Sequence, residues 1–170
     1  MNKKQLDKLS FIFSIFGLVS VIFFAIGIKN IENYNNWFVF SIVSIICGIL
    51  LALIIRFFLC LFEPKAKTYK NSKGFGFLNQ LIFGFMLTSF GVLRLINEYQ
   101  IRETECKIYK ILKLGKSGSK TPQYFIFING ENGEERLSFG KKFNENHQAG
   151  DLINLCIHKG FLGFTFYKPQ

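Results

Sequence analysis

From Leu9 to Ile28 the chain reads LSFIFSIFGLVSVIFFAIGI, twenty residues without a charge. At 1.5 Å per residue, a helix of that length crosses the roughly 30 Å hydrocarbon core of a bilayer. Two further runs follow: WFVFSIVSIICGILLALIIRFFLCLF over Trp37–Phe62, and LNQLIFGFMLTSFGVLRLI over Leu78–Ile96. A chain of 170 residues cannot bury three such helices in a soluble core. They predict a membrane domain over residues 1–97, with spans near 9–28, 37–57 and 77–96. The composition agrees: 49% of residues are hydrophobic, 22 are phenylalanine, and the mean hydropathy is +0.26. The basic start MNKKQLDK suits a signal peptide, but the first apolar run exceeds the usual 7–15 residues and lacks a small-x-small cleavage site. A retained helix is therefore expected.

The polar residues of these runs lie near their ends. Arg56 follows nineteen apolar or small residues and can snorkel to the headgroups, which marks an interface anchor; a channel or partner contact is the alternative. Glu63-Pro64 supplies a stop. In the third run Asn79 and Gln80 stand in the first turn and Arg94 near the last. Small residues recur every four positions at Ser44, Gly48 and Ala52, and again at Gln80, Gly84 and Thr88. That spacing lets helix backbones approach closely, within one chain or between copies.

Charge sets the expected orientation. Lys3, Lys4 and Lys8 precede the first span, and Lys65, Lys67, Lys70 and Lys73 follow the second, whereas KNIENYNN between them is neutral. Lysine and arginine favour the cytoplasmic side, which places the N-terminus inside and everything beyond Ile96 outside. Arg94, Arg102, Lys107 and Lys110 run against this, though Glu98, Glu103 and Glu105 are mixed among them. The formal net charge of +10 divides into +7 for residues 1–96 (ten basic, three acidic) and +3 for 97–170 (eleven basic, eight acidic). The excess thus reads as a topology signal and headgroup contact, not as a nucleic-acid footprint.

Beyond residue 97 the period changes. KIYKILKL is rich in β-forming residues with imperfect alternation, GKSGSKTP is a turn, and QYFIFI and RLSF are short strands around the Asn-Gly pairs of NGENGEE. KKFNENHQAGD reads as a turn or a single helical turn. Ile153, Leu155 and Ile157 alternate with Asn154, Cys156 and His158, as in a half-buried strand. Lys159-Gly160 is expected to turn the chain into a second alternating set of Leu162, Phe164 and Phe166, opposed by Gly163, Thr165 and Tyr167. Residues 98–170 therefore predict a small extracytoplasmic all-β domain, a five-stranded barrel of OB-like or SH3-like kind.

Chemistry is sparse. Cys156 and His158 share a strand face, but side chains two apart lie about 6.5–7 Å apart, too far for a thiolate–imidazole pair. His147 and His158 lack metal-ligand spacing. GKSGSK is not a P-loop. Cys47 and Cys60 read as packing residues. Cys106 and Cys156 are a candidate disulfide in an oxidising compartment; strand parity leaves the pairing open.

The plan resembles that of small bacterial membrane proteins with a compact β domain beside a few spans, and no motif matches a named family. The reading is a non-enzymatic, multi-pass protein of the bacterial inner membrane, with no cofactor, no metal and no nucleic-acid partner. Its β domain is expected to contact a protein or envelope component through Lys159, Phe161 and Tyr167. Its other partners are the lipid bilayer and, as an alternative, further copies of itself. A subunit of an oligomeric channel or transporter, and an immunity protein against an envelope-acting toxin, are the other readings.

Overall fold

The computed structural model describes residues 2–71, 74, 76–118, 122–130 and 133–169. Lys73 of the second loop, Ser119–Thr121 of the GKSGSKTP turn and Asn132 of the second Asn-Gly pair lie outside them. The chain divides into two compact units, Met1–Lys29 with Ser41–Leu95, and Asn30–Phe40 with Ile96–Gln170.

The first unit is built on three helices: α1 Lys3–Ile28, α2 Trp37–Phe62 and α3 Phe77–Tyr99. All three are long and apolar enough to cross a membrane. α1 begins ahead of its apolar run because Asn2 and Gln5 form a reciprocal capping box: Gln5 N donates to Asn2 Oδ1 at 3.0 Å and Asn2 N to Gln5 Oε1 at 2.8 Å. The lipid-facing character shows in exposed apolar side chains such as Phe11, Leu18, Ile22 and Phe57. α2 carries on past Arg56 to Phe62.

α3, the least apolar of the three, packs against both others. A ladder of small polar groups joins it to α1. Gln80 Nε2 donates to Ser10 Oγ at 3.0 Å and Ser14 Oγ at 3.3 Å, and Thr88 Oγ1 meets Ser20 Oγ at 2.8 Å. Ser89 Oγ donates to the Ser44 carbonyl of α2 at 2.6 Å. Both ends of the ladder match start to start and end to end, so α1 and α3 run parallel. At the far end the Arg94 guanidinium donates to the Ile26 carbonyl at 3.1 Å and also reaches those of Gly27 and Lys29. α1 has no basic residue in its own last turn, and Arg94 supplies one from α3. At the near end Tyr69 donates to Asp7 Oδ1 at 2.6 Å and stacks on Phe77, within a cluster of Leu6, Ala66, Tyr69 and Phe77.

The second unit is a curved five-stranded antiparallel sheet: β1 Glu103–Ser117, β2 Gln123–Gly130, β3 Gly133–Phe139, β4 Leu152–Lys159 and β5 Thr165–Pro169, in the order β3-β2-β1-β4-β5. β1–β3 form a meander. The short helix α4, Lys141–Glu145, then leads β4 back to the free side of β1, a Greek-key return. This is a half-barrel of five strands, and a partly open five-stranded Greek key is also the form of OB-like barrels. Tyr109, Ile111, Ile126, Ile128, Leu137, Phe139, Ile153, Leu155 and Tyr167 fill its concave face.

The imperfect alternation of KIYKILKL has a local cause. The register of β1 slips between Ile111 and Lys113, a bulge that returns Leu114 to the core side and turns Leu112 out. β1 also outruns its expected span in both directions, so Gly115 lies in the strand, where the Phe125 ring covers the place of a side chain. The last hairpin differs from expectation too. β5 begins only at Thr165, and Leu162 and Phe164 lie in the loop before it. Tyr167, not Phe166, faces the sheet core, while Phe166 is buried on the opposite face against Tyr34. Gly160 is required here because the Asn97 side chain and carbonyl occupy the space of a Cβ. Asn97 also accepts from Phe161 N at 3.0 Å and Leu162 N at 3.1 Å and donates to Phe164 O at 3.1 Å, fixing the whole turn.

Candidate functional site

A half-closed sheet leaves two edges, β3 and β5, and an unpaired edge is a template for another strand. The Asn30–Phe40 segment spans them. Asn33 accepts from Ser138 N at 2.6 Å through Oδ1 and donates to Ser138 O at 2.9 Å through Nδ2, an amide standing in for one residue of a neighbouring strand on β3. Two residues later Asn35 N donates to Thr165 O at 3.1 Å, and Tyr34 bridges Phe166 on β5. Tyr34 is 2% exposed, between Phe40 and Phe166. The asparagine-rich KNIENYNN carried a signal for this, since short amide side chains bond readily to backbone.

The clasp covers only part of the seam. Beside it lies a cleft of about 400 Å³ lined by Glu32, Tyr34, Asn35, Trp37, Glu134, Glu135, Arg136 and Tyr167. Ser138 turns its N–H and C=O outward to Asn33, so the pleat turns those of Arg136 and Glu134 to the same open edge. Among the described residues three carboxylates and one guanidinium line the cleft, in a chain whose formal charge is +10. Arg136 Nε stands 3.1 Å from Glu32 Oε2, an ion pair that lacks hydrogen-bond geometry, and the guanidinium lies over Phe125 at 4.1 Å. Lys113 pairs with Glu134 at 2.8 Å and covers Phe127 at 4.1 Å. Glu135 folds its carboxyl over Gly130, with Oε1 buried and, among the described residues, lacking a hydrogen-bond partner. A buried acceptor left so is costly, and a donor brought into the cleft offsets that cost.

The residues singled out in the sequence fall in different places. Lys159 is held by Glu103 at 3.2 Å, and Phe161 is 42% exposed with Arg102 stacked 4.9 Å over its ring. Tyr167 is 2% exposed and packs edge-on to Tyr109, so it meets the surface only as a wall of the cleft. The three do not form one patch. Cys106 and Cys156 face each other in the β1–β4 register and are joined as a disulfide, S–S 2.01 Å. A bridge of 50-residue separation restricts the unfolded chain by roughly 2–4 kcal/mol. It also leaves Cys156 no thiol in this form. His158, on the same face, contacts Thr104 Oγ1 through Nδ1 at 2.9 Å. Burial first, and then the Lys168 charge, hold its pKa below the ordinary imidazole value, with Glu98 opposing. Among the described residues no group of three or more His, Cys, Asp or Glu is arranged to hold a metal.

Ser44, Gly48 and Ala52 lie on the packed side of α2, Ser44 and Ala52 fully buried; a Cβ on Gly48 would stand 2.5 Å from Met86 Cα. Gln80, Gly84 and Thr88 face α1, Gly84 beneath the Phe16 ring. Comparison with protein families, curated proteins and solved structures finds no match.

Proposed function

We propose that this chain is a non-enzymatic accessory or binding protein of the bacterial inner membrane, whose helices anchor a β unit that contacts a protein or envelope component outside the cytoplasm. The observation that carries this reading is the open β3 edge at Glu134–Arg136 beside an acid-lined cleft. An extended segment bearing a basic side chain fits both features: its backbone adds to the edge, and its charge meets Glu135. The Cys106–Cys156 disulfide accords with an oxidising compartment, and the lysines of the α2–α3 connection accord with a cytoplasmic one. A channel-subunit reading has less support, because Gln80 and Thr88 spend their polar groups on α1.

Photo-crosslinking in living cells tests the proposal. A benzophenone amino acid at Glu134 or Trp37 is expected to trap a discrete species that one at Lys110 does not, and Glu135→Lys should abolish it. Equal trapping at all three positions, or indifference to Glu135→Lys, overturns the cleft as the contact. Single cysteines replacing Lys67 and Lys141 read the orientation in parallel: labelling from outside should reach position 141 and not 67.

A further inference from the structure

Arg56 is a guanidinium within an apolar helix, and α2 continues beyond it through Phe57–Phe62, about 9 Å of rise. A charge at that depth is expensive unless something pairs with it. Among the described residues the Arg56 side chain has no hydrogen bond, ion pair or ring contact, and neither has that of Lys67. The two share one groove of about 480 Å³, whose other walls are Leu53, Phe57, Cys60 and Leu61. Among the described residues no carboxylate lines it. Phe57 and Leu61 are 65% and 62% exposed, so the groove opens along the apolar outer surface of α2.

We infer that this groove holds one anionic phospholipid, its phosphodiester between Arg56 and Lys67 and an acyl chain along Leu53, Phe57 and Leu61. The guanidinium fork matches two phosphate oxygens at once, and the lysine adds a point charge at the headgroup level. A free phosphate satisfies the two cations but leaves the apolar walls uncovered, so the chemistry favours the lipid. The inference needs only α2 and the connection that follows it and is independent of any contact made by the β unit.

Native mass spectrometry of the full chain in mild detergent tests it, with phosphatidylglycerol and phosphatidylcholine of identical chains as probes. Each basic contact is expected to contribute roughly fivefold, giving a preference for phosphatidylglycerol of about 25-fold. Arg56→Gln and Lys67→Gln should each remove about fivefold of it. Lys70→Gln, outside the groove, should leave it unchanged. Arg56→Lys should retain part of the preference, and it keeps the test open if Arg56→Gln melts early by circular dichroism. A preference unchanged in the Arg56 and Lys67 variants, or lowered equally by Lys70→Gln, overturns the site. Displacement of phosphatidylglycerol by inorganic phosphate at equal concentration would assign the groove to a free anion and overturn the lipid.

Discussion

His158 and Cys156 show how differently two neighbours on one strand face are used. The cysteine is consumed by the bond to Cys106, while the imidazole keeps a titrating group beside Phe166, Lys168 and Glu98. Folding disfavours the charged imidazole, so the unfolded chain binds the proton more readily. The His158 contribution is therefore fully present above the ordinary value of 6.5 and is lost as the pH falls through the lower folded value. His158→Gln should flatten the fall of melting temperature between about pH 7 and pH 5, measured as the difference between the two proteins. Superimposable pH profiles would remove His158 from the account. Parity did not reveal the disulfide, because it compares faces within a strand, whereas pairing depends on the register between β1 and β4.

At the scale of elements, glycines separate contact from freedom. A Cβ on Gly91 would collide with the Phe23 backbone of α1, whereas one on Gly17 would lie 3.9 Å from Phe83 Cδ1. The same substitution should thus act in opposite directions. Gly91→Ala is expected to cost about 1–3 kcal/mol by forcing α1 and α3 apart. Gly17→Ala should be neutral or stabilising, alanine being the better helix former by up to about 1 kcal/mol. Thermal unfolding in micelles reads both, and equal losses would mean that the α1–α3 approach is looser than described. The spacing of Ser44, Gly48 and Ala52 and of Gln80, Gly84 and Thr88 was visible in the sequence, but not which neighbour each stripe meets. Arg94 is the sharper case: it counts as a positive charge on the wrong side of a topology rule, yet it caps the carbonyls that end α1.

At the scale of the molecule, the connection between α1 and α2 is also the clasp of a sheet whose first strand begins at Glu103. A fragment of residues 98–170 alone lacks Asn33 and Tyr34 and leaves both edges bare. In the full chain Asn33→Ala removes two buried hydrogen bonds to Ser138, a loss of about 2 kcal/mol. Hydrogen exchange should then speed at the Ser138 amide and in β5, with α1 unaffected; unchanged protection would mean that the edges are held by something else. The sequence by itself determined the three spans, the change to β structure near residue 100 and the inward set of Ile153, Leu155 and Ile157. These follow from local periodicity and from the length of uncharged chain, which need no partner to be read. Only the tertiary structure decided the strand order, the partner of Cys106, the clasp at Asn33 and the cleft beside it. Each joins residues tens of positions apart, and backbone hydrogen bonds and close packing between such residues leave no period in the chain.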